Sequence, residues 1–336
     1  MLTPFLPDAA PSQRCPLPRW PRNAPLGSVL LPRPFGCRFI GGPNTREDYH
    51  LDLGSEFFFQ MKGNMELPTI QQGKRKLVKI NQGHVFLLPS RIPHSPQRQK
   101  DTFGLVCERY KRPTAFQQQN TAVEFTPDSL DFPTENSGIA CEIRKRAPTE
   151  VDGLRWYRDF TNPAEVLWDR YFHCGDLEKD LVPVVKAYKS SAECEDRVPR
   201  SNVTPVELRP WEIDSQTIVP DPFDLSGWIS SHGAELAKGG VLRLFGENHP
   251  DKEFDVRVAG GGVTTEALQP QPETWMYQHT GSAVVRCGEV AVVLEEGCCC
   301  VLPAGSTYTV KRAAGSVGLI VSCDPLGNDS LGKLKR

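Results

Sequence analysis

Two stretches of this 336-residue chain repeat each other. "EFFFQMKGNMEL" matches "TWMYQHTGSAVV" when Gly63 is set on Gly281, which places Phe57 on Trp275, Phe59 on Tyr277 and Gln60 on Gln278. "GHVFLLPSRIPHSPQR" matches "GCCCVLPAGSTYTVKR", with Gly83 on Gly297, Pro89 on Pro303 and Arg98 on Arg312. A sequence that carries one unit twice is constrained to build one architecture twice. The repeated runs are short, β-branched and aromatic, and the chain spreads 30 prolines and 28 glycines between such runs. That pattern favours a turn-rich, all-β protein with a few helices, made of two similar β-barrels.

Strands are predicted over Phe57–Gly63, Lys76–Ile80, Val85–Pro89 and Thr102–Glu108, separated by turn residues such as Gln72-Gly73 and Asn81-Gln82-Gly83. Asn162-Pro163-Ala164-Glu165 reads as a helix start, with an N-cap, a proline at the first helical position and an acid behind it. Leu177, Leu181, Val184, Val185 and Tyr188 fall on one face of a further helix, and Leu225–Ala237 reads as another. The organisation expected is a disordered segment over 1–36, a first barrel domain over 37–198 and a linker over 199–215. A second barrel domain takes 216–336, and residues 112–148, polar and proline-bearing, form a surface loop inserted in the first domain.

Net charge is −2, with no basic excess to recruit nucleic acid, and no apolar run approaches the roughly 18–20 residues that span a bilayer. Eleven cysteines, an odd number, include the run Cys298-Cys299-Cys300. Neighbours on a strand point to opposite faces, which suits reduced thiols and the cytosol rather than a disulfide framework. The N-terminal segment is broken by prolines and is no secretory signal.

The apolar run Phe57–Met61 asks what Glu56 does at its head, since a buried carboxylate must be paired or metal-bound. His50 lies six residues earlier, roughly 20 Å away along a straight strand. The two can meet only if the chain reverses at Asp52-Leu53-Gly54-Ser55, which is good turn chemistry. His94 follows the buried strand ending at Pro89. Two imidazoles and a carboxylate form the facial set of non-haem Fe(II) oxygenases, although zinc, manganese or nickel accepts the same ligands. One histidine near a turn is commonly structural. Here the second copy has Leu268, Thr274 and Tyr308 where the first has His50, Glu56 and His94, so all three vanish together while the scaffold persists. Arg46 and Arg98 each share a strand face with one of the histidines, and two arginines in a barrel mouth suit a carboxylate ligand. Glu108, on the strand face opposite Leu105 and Cys107, is placed to accept a hydrogen bond from an amino or hydroxyl group.

"GGPNTREDYH", "SEFFFQMKGNM", "GHVFLLPSRIPHSPQR", "GLVCER" and "DGLRWY" closely resemble the 3-hydroxyanthranilate 3,4-dioxygenase family, whose members are bicupins. The resemblance implies two cupin (jelly-roll) barrels and a single Fe(II) per chain on His50, Glu56 and His94. It implies dioxygen or substrate contacts from Arg46, substrate contacts from Glu56, Arg98 and Glu108, and catalytic roles for Arg46, Arg98 and Glu108. The substrate so implied is 3-hydroxyanthranilate, opened with dioxygen to 2-amino-3-carboxymuconate semialdehyde on the kynurenine route to quinolinate and NAD. "VSCDPLGNDS" keeps one of the cysteines that hold a second iron in bacterial relatives, so no second metal is expected. A cytosolic monomer is expected, with no nucleic-acid or membrane partner. The alternatives are a catalytically impaired cupin that binds an aromatic carboxylate, and a cupin enzyme using another divalent metal.

Overall fold

The structure is a computed structural model that describes residues 35–109, 151–174, 177–200, 203–205, 209–267, 271–303 and 305–323. The insert expected over 112–148 and nearly all of the segment expected to be disordered lie outside the described residues, as does Leu268. The chain divides into two compact units, one covering Ile40–Pro222 and the other covering Phe223 onwards together with the residues up to Phe39.

After β1 (Phe35–Gly41), the first unit runs through β2 (Tyr49–Leu51), β3 (Glu56–Lys62), β4 (Met65–Gln71), β5 (Lys74–Ile80), β6 (His84–Leu88), β7 (Gln97–Arg98), β8 (Phe103–Arg109), β9 (Asp152–Asp159) and β10 (Asn162–Phe172). One layer has β3 paired antiparallel between β8 and β6. The other contains β5-β4-β7 and β10-β9-β2, joined where His94 bridges to both His50 and Thr69. Phe58, Phe86, Leu88 and Val106 from the first layer meet Met65, Leu67, Val78 and Ile80 from the second in one buried cluster. β4 and β5 close through a two-residue loop, Gln72-Gly73, with φ of 52° and 70°. Positive φ at both central positions matches the right-handed twist of the strands it joins.

The second unit starts at β11 (Phe223–Asp224) and contains β12 (Val241–Arg243), β13 (Phe254–Gly260), β14 (Thr264–Ala267), β15 (Thr274–Thr280), β16 (Ala283–Cys287), β17 (Val290–Leu294), β18 (Cys299–Leu302), β19 (Tyr308–Arg312) and β20 (Val317–Cys323). Its sheets are β12-β13-β20-β15-β18 and β14-β19-β16-β17. Thus β20-β15-β18 repeats β8-β3-β6, and the pairing of β16 with β17 and β19 repeats that of β4 with β5 and β7.

The likeness extends to irregularities. β3 slips register against β8 between Gln60 and Lys62, and β15 slips against β20 between Gln278 and Thr280. In each case the glutamine amide turns back to donate to the carbonyl just past it, Lys62 at 3.0 Å and Thr280 at 2.8 Å. Its own carbonyl accepts from the aligned glycine, Gly83 at 2.7 Å and Gly297 at 2.8 Å. A bulge conserved between copies, with its orphaned groups satisfied in the same way, identifies two examples of one double-stranded jelly-roll barrel.

Two readings need correction. The segment that begins Asn162-Pro163-Ala164-Glu165 is strand β10, not a helix, paired antiparallel with β9. The capping chemistry is present but serves a hairpin turn: Asp159 Oδ1 accepts from Thr161 N, and Asn162 Oδ1 from Ala164 N at 3.3 Å. Asx turns and N-caps use the same side-chain acceptor, so this local signal cannot tell them apart. Burial of Leu167, Trp168, Tyr171 and Phe172 against β9 and its neighbours then decides for strand. The helix expected over Leu225–Ala237 is two pieces, Leu225–Ser231 and Gly233–Leu236. It breaks at His232, whose ring stacks on Trp228 at 3.9 Å. The segment from Leu177 is helical, a π turn over Leu177–Leu181 leading into the helix Val182–Lys189, with Leu181, Val184, Val185 and Tyr188 against the Trp156–Trp168 cluster. Cys298, Cys299 and Cys300 form no disulfide. Among the described residues no helix is long and apolar enough to cross a membrane.

Candidate metal centre

His50 lies on β2 and pairs with Leu154 of β9 on one side. On the other it faces His94: His50 N donates to His94 O at 2.7 Å, and His94 N donates back at 3.1 Å. Directly opposed residues of an antiparallel pair project to the same face, so the rings come together with centroids 5.3 Å apart. His94 is held from the far side by Ser95 N on Pro68 O and Ile70 N on Pro93 O. β4 therefore carries its Pro68 where the neighbour is this irregular segment rather than a continuous strand, which explains why sequence reading missed that strand.

Glu56 reaches the histidines by the reversal its sequence suggests. Asp52 Oδ1 accepts from Gly54 N at 2.6 Å, Asp52 O accepts from Arg91 N at 2.7 Å, and Ser55 Oγ accepts from Ser90 N at 3.1 Å. Clamped in this way, Glu56 opens β3 directly opposite Glu108 of β8, so both carboxylates are on one face.

One ligand atom each from His50, Glu56 and His94 lies within 4.8 Å of the others, and all three residues are buried. His94 Nε2 is 2.9 Å from Glu56 Oε1, and His50 Nδ1 is 4.0 Å from the same oxygen. The closer contact is not oriented as a hydrogen bond, and neither of its two atoms has another such partner. Ligands about 2.0–2.2 Å from a shared cation fall at separations of this kind, so the set fits a divalent metal. His94 Nδ1 is 3.0 Å from Ile92 O, a carbonyl that can only accept. The proton therefore sits on Nδ1 and leaves the Nε2 lone pair directed at Glu56. Burial disfavours a charged His94 ring, yet the Glu56 carboxylate outweighs it and holds the pKa above its ordinary value. The site attracts positive charge.

Asp152 was not singled out by sequence reading, and Asp52 only as a turn residue. With His50 they form a second close, buried set, and Asp152 Oδ2 is 3.4 Å from His50 Nε2. A carboxylate behind a ligating imidazole keeps the proton on the far nitrogen and turns the other towards the metal. The available signal was Asp152 itself, at the head of "DGLRWY".

Arg98 is 2% exposed, and its backbone exchanges two 2.8 Å hydrogen bonds with Asn44. Burial holds its pKa below the ordinary value, Glu56 and Glu108 pull the other way, and Arg46 adds to the depression. The two arginines and two glutamates thus feel one another. The Arg46 backbone is bracketed by the Gln97 amide, which accepts from Arg46 N at 3.1 Å and donates to Arg46 O at 2.9 Å. The Arg46 guanidinium is engaged by Asp48, another residue the sequence reading passed over.

The profile of the 3-hydroxyanthranilic acid dioxygenase family matches residues 25–129. The chain is 35% identical to human 3-hydroxyanthranilate 3,4-dioxygenase over 294 residues, covering 88% of both chains. It is 34% identical to the rat enzyme over 294 residues, again covering 88% of both. The sea-anemone (Nematostella vectensis) enzyme is 34% identical over 290 residues, 86% of this chain and 89% of that one. Likeness at this level over 88% of these relatives, with a buried His–Glu–His set in the first barrel, means that this chain belongs to the 3-hydroxyanthranilate 3,4-dioxygenase family.

Proposed function

We propose that this chain opens the aromatic ring of 3-hydroxyanthranilate with dioxygen, and that His50, Glu56 and His94 hold the single Fe(II) this requires. The observation that carries the reading is the buried convergence of those three residues in the first barrel, with Arg98 and Glu108 within electrostatic reach. Bound Fe(II) would supply open coordination positions and the one-electron chemistry that lets dioxygen react with an aromatic ring.

The chain's own residues supply the rest. Arg98 neutralises the substrate carboxylate, because a planar guanidinium matches it with two parallel hydrogen bonds. Glu108, on the same face as Glu56, accepts the proton of the ring hydroxyl or amino group and so raises the electron density of the ring. Glu56 would help hold the metal and would contact the substrate. Arg46, held by Gln97 and Asp48, presents positive charge beside dioxygen. The apolar walls from Phe58, Leu88 and Val106 keep this chemistry away from bulk water.

The product of such a reaction, 2-amino-3-carboxymuconate semialdehyde, belongs to the kynurenine route to quinolinate and NAD. A cytosolic monomer fits two observations: Cys298, Cys299 and Cys300 form no disulfide, and one chain already contains both barrels.

The test is to load the protein with Fe(II) under argon, add 3-hydroxyanthranilate, and then admit air. Substrate absorbance should hold until air enters and then fall, with one dioxygen consumed per substrate. Binding without dioxygen uptake would instead mean a carboxylate-binding cupin. Turnover under argon would mean an isomerase-type reaction.

A further inference from the structure

Arg312 occupies in the second barrel the place that Arg98 has in the first. It closes β19 and is 3% exposed. On the same strand face Val310 belongs to the buried cluster of that unit and Tyr308 packs against it, so the guanidinium is directed into the barrel. Its Nε and Nη1 are buried and donate to no acceptor. Gly318 on β20 makes room for it, since a Cβ there would lie 2.8 Å from Arg312 Nε and 3.1 Å from Nη2.

Among the described residues no carboxylate pairs with this charge. The groups acting on Arg312 are the Tyr308 phenol and the Cys300 thiol. Burial drives Cys300 up to about 12 and raises Tyr308 as well, so both are neutral at physiological pH. Burial lowers Arg312 itself to about 10, which still leaves it protonated there. Arg98 differs in having Glu56 and Glu108 beside it. A buried cation without a counter-charge is among the least favourable arrangements a fold can keep.

The substitutions that remove the metal set also reverse the polarity of the site. Thr274 and Tyr308 stand where Glu56 and His94 stand in the first barrel, so the carboxylate and the ring-nitrogen acceptor are both gone; Thr274 Oγ1 donates to Pro272 O at 2.9 Å, and the Tyr308 phenol is the hydroxyl left beside Arg312. Tyr308 is only partly buried, so its side chain reaches solvent. We propose that the second barrel is an anion site, in which Arg312 and Tyr308 hold a small planar oxyanion of formate or bicarbonate size. The first barrel binds a cation through acceptors, and its copy binds an anion through donors.

The probe is formate, compared with gluconate, a much bulkier carboxylate, at equal ionic strength on the full chain. Formate should raise the melting midpoint by about 3–8 °C near saturation. The shift should survive Arg98→Met, which removes the buried arginine of the first barrel, and vanish in Arg312→Met. Cys300→Asp provides a second route, because a built-in carboxylate beside Arg312 should abolish the formate response while the protein stays folded. A formate shift that persists in Arg312→Met or Cys300→Asp overturns the proposal. So does the absence of any formate-specific shift in the native chain, which would mean that water alone solvates Arg312. Loss of the shift in Arg98→Met would assign it to the first barrel, with the same consequence.

Discussion

Replacing Arg98 by alanine removes a guanidinium that is 2% exposed and close enough to Glu56, Glu108 and Arg46 for each to act on its charge. Its Nε has no hydrogen-bond partner within the protein, so donor capacity is left for a ligand. If the substrate's amino and hydroxyl groups face the metal, the carboxylate falls to this arginine. A charge-assisted, two-pronged contact in a buried site is worth about 2–4 kcal/mol after desolvation is counted. At about 1.4 kcal/mol per factor of ten, kcat/KM should fall roughly 30- to 1,000-fold. Steady-state loss of substrate absorbance, run beside metal analysis of the same sample, makes the measurement. Iron content should stay at one per chain, because Arg98 is not a ligand. Lysine should restore only part of the loss, since it brings the charge without the fork. Near-normal kcat/KM in an iron-replete Arg98→Ala protein would refute the reasoning and place the carboxylate elsewhere. Loss of iron together with activity would also refute it, because Arg98 would then be stabilising the metal set rather than the substrate.

Other consequences follow from the same structure. His94→Ala leaves two protein ligands and should remove most bound iron; stoichiometric iron by metal analysis would contradict the assignment. The wild-type chain should hold one iron, and a second tightly held metal surviving mutation of His50 and His94 would overturn the expectation of a single centre. Trp156 stacks on Tyr188 at 4.1 Å and meets Trp168 edge-on at 5.2 Å, so Trp156→Ala should cost about 3–5 kcal/mol in denaturant unfolding. His249 in the second unit has its pKa lowered to about 4, first by burial and then by Lys252, and its Nδ1 accepts from Asp251 N, which only a neutral ring can do. Its stabilising contribution should be complete above the unfolded value of about 6.5 and be lost as pH falls towards 4, a slope that His249→Asn should flatten in urea titrations.

The amino-acid sequence determines the double architecture because its signals are local. Positive φ at Gly63 and Gly281, and at Gly83 and Gly297, needs no distant partner, so the glycines mark the same turns in both copies. The reversal that brings Glu56 back to His50 is local as well, being closed by an Asp52 side chain two residues from the amide it accepts. The candidate metal set was legible for a different reason: one copy of the repeat serves as a control for the other, and the three ligand-type residues are missing from it together. Tertiary structure decided whatever depends on a partner far along the chain. Asn162 caps a turn in either a helix or a hairpin, and only the surface of β9 selects the hairpin. Asp152 is about a hundred residues from His50, and β9 brings it to 3.4 Å. The difference between Arg98 and Arg312 is likewise invisible in two aligned arginines. A buried charge is defined by what surrounds it, and the barrels place two glutamates around one guanidinium and a phenol and a thiol around the other.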